Sequence, residues 1–257
     1  MKLIYSAKGR VAYITINRPE SLNAMDPEVY AEMSKAWIKF RDNNNLWVAI
    51  ITGAGEKAFS AGADLKTAIP RVPEKADFWL TQKEMSLKRG LDVWKPVIAA
   101  VNGYCFGGGM TLLFATDIRI AAEHATFELS EVKRSILPAS GGTQRALRQL
   151  PYAIAMEMLL LGRRLTAQEA LAHGLINKVV PMKDLMRTAE NYARELCENG
   201  PLALRAIKEL ALRSQSLPLE HGIRLEQSFQ EFLRNTEDAE EGPRAFAEKR
   251  KPNYKGR

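Results

Sequence analysis

Apolar residues recur along this chain with two different periods, and the changes of period mark its elements. Val11-Ala-Tyr-Ile-Thr-Ile-Asn17 is β-rich and stops at Arg18-Pro19, which predicts a strand. Asp26-Pro27-Glu28 then supplies an N-cap, a proline at the first helical position and an acidic first turn. Val29, Met33, Trp37 and Phe40 follow at spacings of four, four and three, the stripe of a core-facing helix. Trp47 to Thr52 and Val97 to Val101 are short continuous apolar runs, too short for helices, and predict buried strands. Asp117 to Ala122, Ala125 to Phe127 and Ile176 to Val180 read as further strands. Helices are expected from about Glu74 to Trp94, over Met110 to Ala115, and after Gly141-Gly142-Thr143. Thr166-Ala-Gln-Glu169 is a capping box, and Gly174 stops the short helix it starts. Strands alternating with helices imply crossover connections and a substantially parallel sheet.

After Pro181 the pattern changes to helices alone, expected at Leu185–Glu198, Pro201–Ser216 and Leu219–Arg234. Residues 1–198 are therefore expected to form an α/β core and 199–257 a helical appendix. Short helices cannot bury all their apolar faces alone, so the appendix should pack on the core or on another subunit.

Composition narrows the function by exclusion. The 257 residues are 46% hydrophobic and 26% charged, ordinary for a globular protein that needs no staple. Cys105 and Cys197 make no disulfide framework, and no segment resembles a signal peptide or approaches membrane-spanning length. A cytoplasmic protein without a membrane partner is expected. Thirty-seven basic against thirty acidic residues leave +7, concentrated only at Lys249-Arg-Lys251, Lys255 and Arg257. That tail is either a solvated end or a phosphate-binding one. No zinc knuckle, RNA-recognition signature or aromatic-interleaved basic stripe is present, so nucleic acid is not the expected partner. His124, His173 and His221 stand apart without ligand spacing, and no metal is expected. There is no nucleophile elbow, P-loop or dinucleotide fingerprint; Ser140 reads as a turn residue and Cys105 as a packed thiol.

Two glycine-containing turns after strands remain, Ala61-Gly-Ala63 and Phe106-Gly-Gly108, with an acidic side chain, Glu131, on a later loop. Gly107-Gly-Gly109 precedes a helix, where unpaired N–H groups point outward and the missing Cβ atoms permit close approach. The turn either holds a developing negative charge or only packs a strand on a helix. If both turns aim N–H groups at one point, they form an oxyanion hole suited to a thioester enolate, with a single carboxylate to move the α-proton.

Four segments carry a resemblance: Ala58-Phe-Ser-Ala-Gly-Ala-Asp-Leu65, Pro96 to Gly109, Asp117-Ile-Arg-Ile-Ala121 and Pro138-Ala-Ser-Gly-Gly-Thr-Gln-Arg145, with Gly242 to Pro252 at the end. Together they resemble the crotonase superfamily, the enoyl-CoA hydratase/isomerase family, in order along nearly the whole chain. The resemblance implies a spiral of ββα turns with a C-terminal helical trimerisation region, assembled as a homotrimer or homohexamer. It implies an acyl-CoA thioester as substrate and no separate cofactor. Its oxyanion-hole amides fall on Ala63 and Gly108. Its CoA contacts fall on Leu22, Ala24, Ala61, Asp64 and Leu65, with Phe246 and Lys249 reaching CoA from the C-terminal end, sometimes from a neighbouring subunit.

The departure lies in the acid–base pair. Hydratases of this family use two glutamates; the second falls on Glu131, but the first falls on Thr111, a hydroxyl that is no base near neutral pH. Either proton shuttling between two carbons or a specialised hydration through Glu131 is then expected, with Glu84 as a candidate substitute carboxylate. The alternative is an acyl-CoA- or RNA-binding relative with little or no catalysis.

Overall fold

Among the residues described by the computed structural model, 1–68, 86–87 and 90–257, the strands fall into two sheets. In the larger, β1 (Leu3–Lys8) pairs antiparallel with β2 (Val11–Ile16). β3 (Val48–Gly53), β5 (Val97–Val101), β7 (Ile118–Ala122) and β10 (Lys178–Val180) follow β2 in parallel register. The smaller sheet joins β4 (Ala58–Ser60), β6 (Tyr104–Phe106) and β8 (Thr126–Glu128) in parallel, with β9 (Arg164–Thr166) antiparallel on β8. Each of β3, β5 and β7 hands the chain straight to its successor in the smaller sheet. That repetition is the spiral of ββα turns expected from the resemblance.

The continuous apolar runs have a simple cause. In the larger sheet Ala49, Ile51, Val97, Ala99, Val101 and Ala121 face one buried cluster, which also holds Trp37 and Phe40. Val48, Ile50, Ile98, Ala100, Ile120 and Ala122 face a second. α1 (Pro27–Asp42) contributes to the first through Val29, Met33, Ala36, Trp37 and Phe40, and Asp26 caps it by accepting from Val29 N at 2.9 Å. α2 (Leu65–Ala68) is a single turn, and α3 (Gly108–Leu113) follows the glycine triplet's first member. α4 (Gly142–Gln149), α5 (Tyr152–Met156) and α6 (Ala167–Ala172) complete the core, α6 with its full capping box on Thr166 and Glu169. α7 (Leu185–Cys197) covers the second cluster with Leu185, Ala189 and Ala193. α8 (Pro201–Arg213), α9 (Leu219–Arg234) and α10 (Glu237–Ala247) end the chain.

The expected helix from Glu74 to Trp94 needs correction at its far end. Residues 91–94 are not helical; Leu91 and Val93 are buried while Asp92 is exposed, an alternation of period two. Pro96 reinforces it, because a proline pushes the preceding residue, here Lys95, out of the helical region. Most of the rest of that helix, and Glu84 with it, lies outside the described residues.

Two buried asparagines fix the loops that lead from one sheet to the other. Asn102 donates to the carbonyls of Gly55 (2.7 Å) and Ala58 (3.0 Å) and accepts from Gly53 N (3.2 Å). Asn23, with φ of 55°, accepts from Arg18 N (2.9 Å) and donates to Ala54 O (3.0 Å) and Ala58 O (2.6 Å). The β3–β4 and β5–β6 connections are thereby tied to one another and to the segment before α1.

Candidate active site

The site is assembled from main chain before any side chain enters it. Gly107 has φ 50° and ψ −118°, a conformation that only glycine adopts without strain, and its N–H donates to Glu128 O at 2.9 Å. That bond ties the turn to β8. On the other side the turn lies directly against residues 60–63. A methyl group on Gly109 would meet Ser60 O at 2.5 Å, and one on Gly62 (φ +95°) would meet Gly108 N at 2.8 Å. Ser60 holds its own loop by donating to Asn23 O (2.8 Å) and accepting from Gly62 N (3.2 Å).

This backbone-on-backbone contact brings Ala63 and Gly108 together. The Ala63 nitrogen lies 3.2 Å from the position that a methyl on Gly108 would take. Among the described residues, the N–H groups of Ala63 and Gly108 donate to no backbone carbonyl, whereas their neighbours Asp64 N, Gly107 N and Thr111 N all do.

Glu131 comes to the same turn from a separate element. It opens the 3-10 turn Glu131–Arg134, and its Oε1 lies 3.4 Å from the place of a Gly107 methyl. Its Oε2 is shut off from solvent. A brace that the sequence did not reveal holds this turn. Glu128 at the end of β8 is buried, and Lys133 Nζ (2.9 Å) and Arg164 Nε (2.8 Å) both donate to its carboxylate. Lys133 also donates to Gly162 O at 2.7 Å, and Arg164 lies over the Phe106 ring. Burial pushes the Glu128 carboxyl up, but the hydrogen bonds from Lys133 and Arg164 outweigh it and leave the group below its ordinary value.

Thr111 sits one turn into α3, almost completely buried, with its hydroxyl donating weakly to Gly107 O at 3.4 Å. Its Oγ1 would lie 3.1 Å from a methyl on Gly142, so the threonine faces the start of α4. Cys105 is fully buried, and burial pushes its thiol well above the ordinary value, as fits a packed thiol.

The residues expected to meet CoA divide into two places. Leu22, with φ of 53°, accepts from Ala61 N at 2.9 Å, and Arg18 joins Ala24 O (2.8 Å) to the Asp64 carboxylate (3.1 Å). Asp64 also accepts from Lys66 N at 3.2 Å, at the start of α2 where Leu65 is exposed. Leu22, Ala24, Ala61, Asp64 and Leu65 therefore form one connected rim beside Ala63. Phe246 and Lys249 lie elsewhere, at the end of α10, where Phe246 is 87% exposed. The basic tail is less charged in effect than in composition. Arg250 pairs with Glu241, Lys251 with Glu198, and Lys255 and Arg257 with Glu237, while Lys249 has no ion pair among the described residues.

Among the described residues no three His, Cys, Asp or Glu side chains gather into a metal-binding group, and no helix is long and apolar enough to cross a membrane. His124 Nε2 instead approaches the carbonyls of Glu56 (2.8 Å) and Asn102 (3.1 Å).

Comparison with known proteins places this arrangement in context. The family profile described as enoyl-CoA hydratase/isomerase matches residues 6–257. The (E)-benzylidenesuccinyl-CoA hydratase of Thauera aromatica is 41% identical over 256 residues, 100% of both chains. A carnitinyl-CoA dehydratase of Salmonella typhi is 46% identical over 253 residues, 97% of this chain and 96% of its own. The crystal structure of an enoyl-CoA hydratase from Bacillus anthracis superposes with a TM-score of 0.92 at 37% identity, covering 100% of both chains.

Proposed function

Since the chain belongs to the enoyl-CoA hydratase/isomerase family, we propose that it interconverts an enoyl-CoA thioester and its hydrated product. A hydratase and a dehydratase among its relatives name the two directions of such a reaction. The observation that carries the reading is the pairing of the Ala63 and Gly108 amides beside the turn on which the Glu131 carboxylate rests.

In this proposal both N–H groups donate to the thioester oxygen, which gains negative charge as C2 takes up an electron pair. Each such donor stabilises the developing charge by about 3 kcal/mol. Glu131 accepts a proton from water as the water oxygen bonds to C3, and the proton is returned to C2; the reverse order expels water. A single carboxylate can serve both ends because the charge in between rests on the amides. Thr111 takes no proton in this scheme. Its presence favours a second reading, double-bond migration, in which Glu131 lifts a proton from one carbon and returns it to another.

The rim from Leu22 to Leu65 is proposed to seat CoA. The uncompensated Lys249 and the exposed Phe246 suit a contact with the CoA of a neighbouring copy. Assembly as a homotrimer or homohexamer is supported by α9, which buries none of its sixteen residues and exposes Leu219, Ile223 and Phe232. Sedimentation of the intact chain as a monomer would remove that part of the reading. The free thiols suit a reducing, cytoplasmic setting.

The test is a panel of 2-enoyl- and 3-enoyl-CoA thioesters in heavy-oxygen water. Label in the product is expected; a moved double bond without label would select isomerisation. Glu131→Gln should abolish turnover while acyl-CoA affinity stays near wild type, and full activity in that variant would remove Glu131 from the mechanism.

A further inference from the structure

We propose that the Tyr30 hydroxyl is a third hydrogen-bond donor to the thioester oxygen, beside the amides of Ala63 and Gly108. The inference rests on the oxyanion reading above and adds a side chain to it. Tyr30 stands in the first turn of α1, whose Asp26 cap and Pro27 start fix where that turn begins. Its Oη lies 3.2 Å from the position of a methyl on Gly108, as near as the Ala63 nitrogen lies to that same point. A polar atom from α1, a second from the β4–α2 loop and the Gly108 main chain therefore border one small volume. The Met25 Cε, 3.3 Å from the point, closes it on an apolar side.

The ring has little freedom to leave this position. Tyr30 shares the α1 face of Met33 and Trp37, three and seven residues further on, and packs against the buried cluster that contains both. With Met25, Met33, Trp37 and Leu112 it lines a gap of only about 10 Å³, the room of a single water. Leu112 belongs to α3, so the gap beside the ring is bounded by the same short helix that carries Gly108.

The chemistry suits an oxygen that becomes an anion. A phenol is protonated at neutral pH and can donate one hydrogen bond, which strengthens as its acceptor gains charge. An enolate oxygen can accept from three directions, and two backbone N–H groups leave one open. Thr111 in place of a carboxylate makes such a donor more consequential, because more of the charge then has to be held at the oxygen.

The test compares the wild type with Tyr30→Phe, which removes one oxygen atom and keeps the ring in its slot. A thioester labelled with carbon-13 at the carbonyl is bound to each, and its infrared stretch is recorded alongside kcat, KM and the melting temperature. The wild type should lower the stretching frequency relative to free thioester. Tyr30→Phe should lower it less, reduce kcat by about 100- to 1000-fold, in line with the loss of one donor, and leave KM and melting temperature nearly unchanged. An unchanged carbonyl shift in Tyr30→Phe overturns the proposal, whether or not kcat falls. Absence of any shift in the wild type would instead overturn the two-amide reading itself, so the two failures are distinguishable.

Discussion

Gly109→Ala separates the site from the fold more sharply than any other single change. The added methyl would sit 2.5 Å from the Ser60 carbonyl oxygen and 3.1 Å from Ser60 Cβ, whereas ordinary contact begins at 3.4 Å. The two segments must therefore part by roughly 0.9 Å. Ser60 cannot yield easily, since it is fully buried and its hydroxyl is bonded to Asn23 O. The movement falls on α3, and it carries the Gly108 amide away from that of Ala63. Overpacking of this kind costs about 1–3 kcal/mol, and replacing glycine by alanine in a helix returns about 1 kcal/mol. A net loss of about 0–2 kcal/mol leaves a domain of ordinary stability folded. A misplacement near 1 Å, by contrast, costs on the order of 10²-fold in rate. Turnover of the thioester accepted by the wild type, measured beside urea unfolding, should show activity about 100-fold down in a folded protein. Wild-type kcat/KM in folded Gly109→Ala would refute the claim that this contact sets the spacing of the amides.

Two further changes address the supports around the site. Glu128→Gln removes the charge that holds Lys133 and Arg164, both about half exposed, and should loosen the turn that carries Glu131. It is expected to lower kcat about tenfold with little change in KM, and to cost about 1–2 kcal/mol in chemical unfolding, the exposure of the partners discounting the larger figure for a buried pair. Because its folded pKa lies below the ordinary value, that contribution is present at neutral pH and lost as acid protonates Glu128; a stability difference between wild type and variant that persists at pH 2 would contradict this. Lys95 is buried at the end of α1 and donates to Phe40 O and Asn43 O at 2.8 Å each. Burial lowers its pKa from 10.5 to about 8, so between those values the unfolded chain holds the extra proton and stability rises with pH. The stability of the wild type relative to Lys95→Met should therefore climb by about 1.4 kcal/mol per pH unit from pH 8 to 10 in calorimetric scans; a flat difference would refute it.

How far the sequence reached depends on the range of the forces involved. β3, β5 and β7 were legible because both faces are buried and their apolar runs are uninterrupted; α1 and α6 were legible because their caps are local hydrogen bonds. β4 and β6 are three residues long and run directly into the glycine-containing turns, and β9 runs into the Thr166 cap, so turn and cap signals hid them. The segment before Pro96 was misread because Leu87, Leu91 and Trp94 have helical spacing while Leu91 and Val93 obey the strand alternation that tertiary packing enforces. Gly107 and Gly108 announced a special backbone, but their meeting with residues 60–63 was visible only through the family resemblance. Tyr30 and the Glu128 brace gave no such signal, since each matters through partners more than thirty residues away in at least one direction.

Because the paired nitrogens at 63 and 108 belong to the polypeptide itself, no side-chain deletion can erase either one. An alanine scan across this region would pass over them silently and register only the glycines that let the two turns crowd together. Divergence can therefore rewrite positions 111 and 131 while the contact between residues 60–63 and the glycine turn, with the two amides it brings together, is inherited with the fold.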